Sequence, residues 1–362
     1  KIPFVEGVSI NQVINSCNTP FYLYSQKIIT DTYNFLKDTL SSEIFFAVKA
    51  NPNQAILKLM KNCGAGADVV SVGEMHRALN VGFDPNKIIF EGVGKSKEDI
   101  QYAVEKNIRL INVESISELE LVDQIGKNFN KKINVGIRLN PNIDGQTIDK
   151  ISTGKKTDKF GIPLDQLKNV ISLVQSCNYI NLKGISCHVG SQIHDISIFE
   201  KIFETMKDAA EIALSSGVEL EYVDLGGGLG VNYEKDQNEI NLNDLKKLIF
   251  KFFNDVSYQI SFEPGRYLVA KSGMIITKIL TAKENGGINF LITDAGMQTL
   301  IRPAMYGARH RIEVLNDISK KNIKYTVAGP ICESSDILAK DIILPKQKIN
   351  NYLAIHDTGA YG

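Results

Sequence analysis

The sequence predicts an α/β fold, a (β/α)8 TIM barrel with a second, mainly antiparallel β domain, and three observations carry that expectation. Between about Glu43 and Gly265, short β-branched or aromatic runs alternate with longer segments of helical period, the pattern of βα units feeding a parallel sheet. Eight such units can be counted, the number that closes a barrel. After Gly265 the alternation stops, and runs separated by Gly, Asn and Pro turns suggest antiparallel strands instead.

In chain order, Phe21–Tyr24 reads as a short strand expected to join the later β domain. Barrel strands are expected at Ile44–Lys49, Asp68–Ser71, Lys87–Glu91, Arg109–Val113, Ile133–Leu139, Leu182–His188, Tyr222–Leu225 and Gln259–Glu263. Apolar residues at i, i+3 and i+4 place helices over Gln54–Asn62, Gly73–Val81, Ile198–Ser215 and Leu242–Phe253. In the last part, strands are expected at Met274–Leu280, Phe290–Thr293, Lys324–Val327 and Tyr352–Ile355. The expected domains are therefore a barrel over residues 25–265 and a β domain built from 1–24 and 266–362.

A chain of 362 residues exceeds one average domain, and its 43% hydrophobic and 23% charged residues suit an ordinary globular core. Lys plus Arg equals Asp plus Glu at 41 each, so no net field recruits nucleic acid or an anionic membrane, and a small molecule is the expected partner. The five cysteines form no CxxC pair, which argues against a disulfide framework or zinc knuckle and fits a reducing cytoplasm. No apolar run approaches the roughly 20 residues that span a bilayer, and Lys1-Ile2-Pro3-Phe4 does not begin a signal peptide. The chain starts without methionine and stops at Gly359-Ala-Tyr-Gly362, so residues are expected to be missing at both ends.

Barrel chemistry gathers at the C-terminal ends of the strands, and here those ends carry Lys49, Asp68, Ser71, Asn112, Arg138, His188, Asp224 and Glu263. Lys49 lies in Phe45-Phe46-Ala-Val-Lys49-Ala-Asn51, where apolar neighbours would desolvate the ammonium and leave a neutral amine able to form a Schiff base. Most strand-end lysines simply point to solvent. Asp224-Leu-Gly226-Gly227-Gly228-Leu-Gly230 follows a strand, so its N–H groups could cradle a phosphate, or the glycines could only make a tight turn. Glu263, in Glu263-Pro-Gly265-Arg266, would need a positive partner if buried, either a protonated pyridine nitrogen or an arginine such as Arg266 or Arg138. His188 could lie against a cofactor ring and Ser191 could donate to phosphate. No carboxylate–histidine cluster suggests a metal site.

Together these segments resemble the alanine-racemase-like, fold-type III pyridoxal-phosphate enzymes, and within them the diaminopimelate decarboxylases, over essentially the whole chain. The resemblance implies pyridoxal 5'-phosphate on Lys49, His188 stacked on its ring, and Ser191 with Gly226, Gly227 and Gly228 on its phosphate. It also implies Glu263 on the pyridine nitrogen, Gly265 and Arg266 beside the cofactor, and Asp68 with Arg138 as a supporting ion pair. Gly329-Pro-Ile-Cys332-Glu333-Ser-Ser-Asp336 resembles the segment that enters the other subunit's active site in diaminopimelate and ornithine decarboxylases. That implies a homodimer with shared sites and Cys332 as the acid that returns a proton to Cα. Arg302-Pro-Ala-Met-Tyr306-Gly-Ala-Arg-His310 resembles the family's substrate loop, so Arg302, Tyr306 and Arg266 are expected on the distal carboxylate and Glu333 on the distal ammonium. Tyr361 matches a tyrosine that reaches phosphate and substrate, although the chain ends at that motif and lacks the family's last residues.

The implied reaction is decarboxylation of meso-2,6-diaminopimelate to L-lysine and CO2. Two alternatives stay open: a decarboxylase of ornithine, arginine or carboxynorspermidine, against which Arg302, Tyr306 and Glu333 argue, and a non-catalytic pyridoxal-phosphate-binding homologue, against which the presence of both Lys49 and Cys332 argues.

Overall fold

The computed structural model describes residues 4–146, 153–233, 239–315 and 319–362. Its eight central strands are β1 (Glu43–Ala47), β2 (Gly66–Val69), β3 (Ile88–Phe90), β4 (Leu110–Val113), β5 (Ile133–Asn140), β6 (Ile180–Cys187), β7 (Tyr222–Asp224) and β8 (Gln259–Phe262). They pair in the order β6-β7-β8-β1-β2-β3-β4-β5, and β5 pairs back to β6, so the ring closes. Each of these pairings is parallel. β2 and β4 are buried at every residue, as parallel strands covered on both faces must be.

Inside the barrel the side chains sort by height. Phe45, Ile89, Leu110 and Tyr222 form an apolar layer. The Arg109 guanidinium lies over the Phe45 and Tyr222 rings at 5.3 and 4.9 Å and donates to Glu43 at 2.8 Å. Further along the strands the buried side chains become polar: Asp68, Glu91, Asn112, Arg138, Ser186, Asp224 and Ser261. An interior this polar is costly unless its groups are satisfied, so the layer marks where the barrel gives up core packing for chemistry.

Helix starts explain why the elements begin where they do. Asn53 accepts from the Ala55 N–H at the head of Gln54–Asn62. Ser71, read from the sequence as a strand-end cleft residue, instead caps the helix Val72–Asn80 by accepting from the Glu74 N–H at 3.2 Å. The helices Ile196–Ser215 and Leu242–Phe253 stand at almost the bounds their periodicity predicts.

The second sheet comprises β9 (Gly273–Asn285), β10 (Ile288–Thr293), β11 (Ile312–Val314), β12 (Asn322–Ala328), β13 (Ile337–Pro345) and β14 (Tyr352–Ile355). Phe21–Tyr24 pairs antiparallel with the start of β9, as expected. β9 and β10 join through Gly286-Gly287, both at positive φ, the backbone a two-residue hairpin demands. Among the described residues β10 and β12 make the one parallel pair in this sheet. Its core is Ile275, Ile279, Leu291, Val327 and Leu353 with their neighbours. β13 was missed in the sequence because its alternation breaks: the ladder shifts between Tyr325 and Val327 of β12, where Lys340 and Asp341 oppose Thr326, and Asp341 has φ 55. That is a β-bulge, which throws the side chains after it onto the other face.

Two compact units result. One holds residues 32–231 and 239–268, the other the described residues of 1–31, 232–238 and 269–362. The boundaries expected at residues 25 and 265 fall instead inside the helices Gln26–Leu40 and Arg266–Val269.

Candidate active site

β1 ends at Ala47, so Lys49 lies in a short 3-10 turn, Val48–Ala50, rather than on the strand. Its ammonium donates to Asp68 at the end of β2 at 3.2 Å. The expected Asp68–Arg138 pair does not form. Arg138, on β5, bonds instead to Glu114 at 2.9 Å and Glu91 at 3.4 Å. The reason lies in the barrel's geometry: Glu91 and Glu114 follow β3 and β4, between Asp68 and Arg138 around the ring. Both were overlooked in the sequence, although each sits one residue past a strand end, the signal that found the others.

Glu263 follows β8 and is 7% exposed. Its Oε1 is buried with no hydrogen-bond partner, and so is Asp68 Oδ1. No ion pair joins Glu263 to Arg266 or Arg138 among the described residues, so the arginine-pairing alternative falls away. Burial, then the neighbouring carboxylates of Asp224, Asp68 and Glu91, push its carboxyl well above the usual range. Asp224 responds the same way: burial raises it to about 7, although it accepts from the Ser261 hydroxyl and, at 2.7 Å, from the Gly226 N–H. Among the described residues the barrel mouth thus holds more buried carboxyls than cations, an arrangement that suits a positive group from outside.

The glycines supply close approach. Gly226 and Gly228 have φ of 71° and 89°. A Cβ on Gly226 would strike the Cys187 carbonyl, one on Gly227 the Glu263 carbonyl and one on Gly228 the Gly190 carbonyl. Two of the three N–H groups are committed within the protein, Gly226 to Asp224 and Gly227 to His188 Nδ1 at 3.1 Å. Because Nδ1 accepts, the neutral His188 ring carries its proton on Nε2. Burial, then the charges of Arg138 and Lys49, hold His188 well below the usual imidazole range. Ser191 accepts from Arg266 Nε at 3.2 Å, which brings a hydroxyl and a guanidinium together on the barrel side. Gly265 packs against Ala47 and Ala50, so a side chain there would crowd the Lys49 turn.

The remaining expected residues belong to the other unit. Arg302 opens the short helix Arg302–Tyr306 and is buried, with its guanidinium 4.3 Å from the centre of the Tyr233 ring and bonded to His310. Tyr306 is half-buried. Cys332 and Glu333 sit in an exposed β12–β13 connection, residues 330–335. Buried Asp336 ties that loop down by accepting from the Met297 and Ile331 N–H groups at 2.6 and 2.8 Å. Tyr361 is half-buried, with φ 57. Among the described residues no group of three or more His, Cys, Asp or Glu side chains is placed to hold a metal. None of the described helices is long and apolar enough to cross a membrane.

Residues 25–270 match the family described as pyridoxal-dependent decarboxylase, pyridoxal binding domain. Diaminopimelate decarboxylase of Aquifex aeolicus is 36% identical over 99% of this chain and 86% of its own length. That of Campylobacter jejuni is 38% identical over 97% of this chain and 88% of its own. The crystal structure of Helicobacter pylori diaminopimelate decarboxylase in complex with L-lysine matches with a TM-score of 0.92 at 37% identity, covering 98% of this chain and 89% of that one.

Proposed function

The chain belongs to the pyridoxal-dependent decarboxylases, within them to the diaminopimelate decarboxylase family, and from that premise we propose that it converts meso-2,6-diaminopimelate to L-lysine and CO2, the last step of lysine biosynthesis. The observation that carries the reading is Glu263, a buried carboxyl with an unpartnered oxygen among further carboxyls and with the Lys49 charge acting on it. A pyridinium N–H is the partner that site lacks, so the residues present fit pyridoxal 5'-phosphate. When bound, that cofactor supplies an electron sink for the pair left on Cα as CO2 departs.

The chain's own residues do the rest. Lys49 would hold the cofactor, and Asp68 orients its amine. His188, neutral and fixed by the Gly227 N–H, offers a ring face without adding charge beside Glu263. Ser191, Gly228 and Arg266 would hold the phosphate, Gly226 and Gly227 clear the space it needs, and Gly265 leaves room for the Lys49 turn. Arg266, Arg302 and Tyr306 would grip the distal carboxylate and Glu333 the distal ammonium, while Tyr361 would close over phosphate and substrate. Holding both ends would orient the bond to be broken. Cys332 Sγ–H would deliver the proton to Cα.

Cys332 and Glu333 stand on an exposed loop of the unit without Lys49, which supports a homodimer in which each subunit lends this loop to its partner's barrel. An ornithine or arginine preference is disfavoured because those substrates leave Arg302 and Tyr306 without the distal carboxylate. The test is CO2 release from meso-diaminopimelate, L-ornithine and L-arginine by protein supplied with pyridoxal phosphate. Selective turnover of diaminopimelate is expected. Preference for either other amino acid would overturn the substrate assignment, and turnover of none would favour a non-catalytic homologue.

A further inference from the structure

We infer that His310 is a positioning residue that sets Arg302 for the substrate's distal carboxylate, an inference that rests on the assignment of Arg302 proposed above. Arg302 is 6% exposed and so is His310. Arg302 Nη1 lies 2.8 Å from His310 Nε2. A guanidinium can only donate, so Nε2 carries the lone pair and the imidazole proton belongs on Nδ1. That nitrogen in turn lies 2.9 Å from the His356 carbonyl, an acceptor that requires the same tautomer. These two hydrogen bonds therefore agree on one orientation and one protonation pattern.

The chain builds this relay from the sheet outward. His356 directly follows β14, and its own N–H donates to the Arg311 carbonyl at 2.9 Å, so the acceptor carbonyl is held by the sheet and not by a free loop. Gly307, at φ 64, ends the Arg302–Tyr306 helix with its N–H on the Pro303 carbonyl, and the turn brings His310 back against Arg302. Tyr233 walls both groups, 4.3 Å from Arg302 Cζ and edge-on to the His310 ring at 5.3 Å. The ring contact and the Nη1 bond both restrict how the guanidinium can turn. Recognition of a carboxylate by a guanidinium is planar and directional, so the plane decides how well Arg302 can discriminate ligands that carry a carboxylate from those that do not.

The test uses the holoenzyme and two competitors, L-lysine, which keeps the distal carboxylate, and 1,5-diaminopentane, which lacks it. His310→Leu is expected to raise KM for meso-diaminopimelate and the inhibition constant of L-lysine roughly tenfold, a change of about 1.4 kcal/mol. The inhibition constant of 1,5-diaminopentane and kcat are expected to stay within about twofold, because no contact to the reacting centre is touched. His310→Gln, whose side-chain oxygen can still accept from Nη1, is expected to recover most of the loss. His310→Asn, too short to reach, gives a second reading should the leucine variant not fold. A weakening of both competitors by the same factor would reduce His310 to a structural role and overturn the inference. So would an Arg302→Ala variant that loses L-lysine affinity while the His310 variants keep it. If Arg302→Ala itself leaves L-lysine binding unchanged, the assignment of Arg302 fails and this inference falls with it.

Discussion

Replacing Asp224 by asparagine tests whether the barrel mouth is held in electrostatic tension before its cofactor arrives. Burial raises the Asp224 carboxyl from 3.8 to about 7, and the residue is 2% exposed. A carboxyl raised on folding favours the folded state fully below its unfolded pKa, here 3.8. That contribution is lost as pH climbs toward 7, because the unfolded chain releases its proton first. The difference of roughly three pKa units corresponds to a ceiling of about 4 kcal/mol at and above neutral pH. Asparagine keeps an oxygen for the Gly226 N–H and can donate to the Ser261 oxygen after that hydroxyl turns, so both bonds survive without a charge. The cofactor-free Asp224→Asn protein is therefore expected to match the wild type near pH 4 and to exceed it by about 2–4 kcal/mol at pH 8. Urea unfolding of the two cofactor-free proteins at several pH values measures the gap. A gap that stays constant from pH 4 to 8 would refute the account, since a hydrogen-bond or packing change carries no such slope.

Further outcomes follow from the same site. Gly227→Ala places a Cβ on the Glu263 carbonyl, so it is expected to weaken pyridoxal-phosphate binding by at least tenfold, about 1.4 kcal/mol or more, read by titrating the cofactor's absorbance. His188 is held well below the usual imidazole range, so its ring nitrogens in the cofactor-free protein should keep the NMR shifts of a neutral imidazole from pH 6 to 8; an imidazolium pattern in that interval would show a charged ring. Lys49→Ala should abolish both turnover and the lysine-linked cofactor absorbance. Cys332→Ala should retain the absorbance and lose most turnover. Mixing those two inactive variants through unfolding and refolding is expected to recover roughly a quarter of wild-type activity if subunits share sites, because half of randomly paired dimers are mixed and each has one intact site. No recovery would count against the shared-site dimer.

Much of the molecule was legible before any coordinates. The eight strands and their helices follow from alternating apolar runs, and closure of the ring follows from their number. Local spacing also placed Lys49, Asp68, His188, Asp224 and Glu263 near one end of the barrel, because the end of a strand is a sequence property. What the sequence left undetermined depends on partners far apart in the chain. Asp68 and Arg138 both follow from strand ends, yet their pairing was misjudged, since around the ring Glu91 and Glu114 lie between them and reach Arg138 first. β13 escaped because a bulge at Lys340-Asp341 breaks the period on which strand reading relies. His310 closes the substrate-loop motif but carries no role in the sequence, because nothing in its neighbours says that its ring bonds Arg302 and the carbonyl of a residue 46 positions later.

The sequence by itself determined the kind of fold and the chemical types at the barrel mouth, because periodicity and strand-end position are local. Only the tertiary structure decided which charge meets which, that Glu263 keeps an oxygen without a partner, and that the glycine N–H groups are largely committed inward. Those outcomes depend on distance and burial, and a Coulomb or hydrogen-bond energy takes its value from where the fold brings two groups together rather than from their order in the chain.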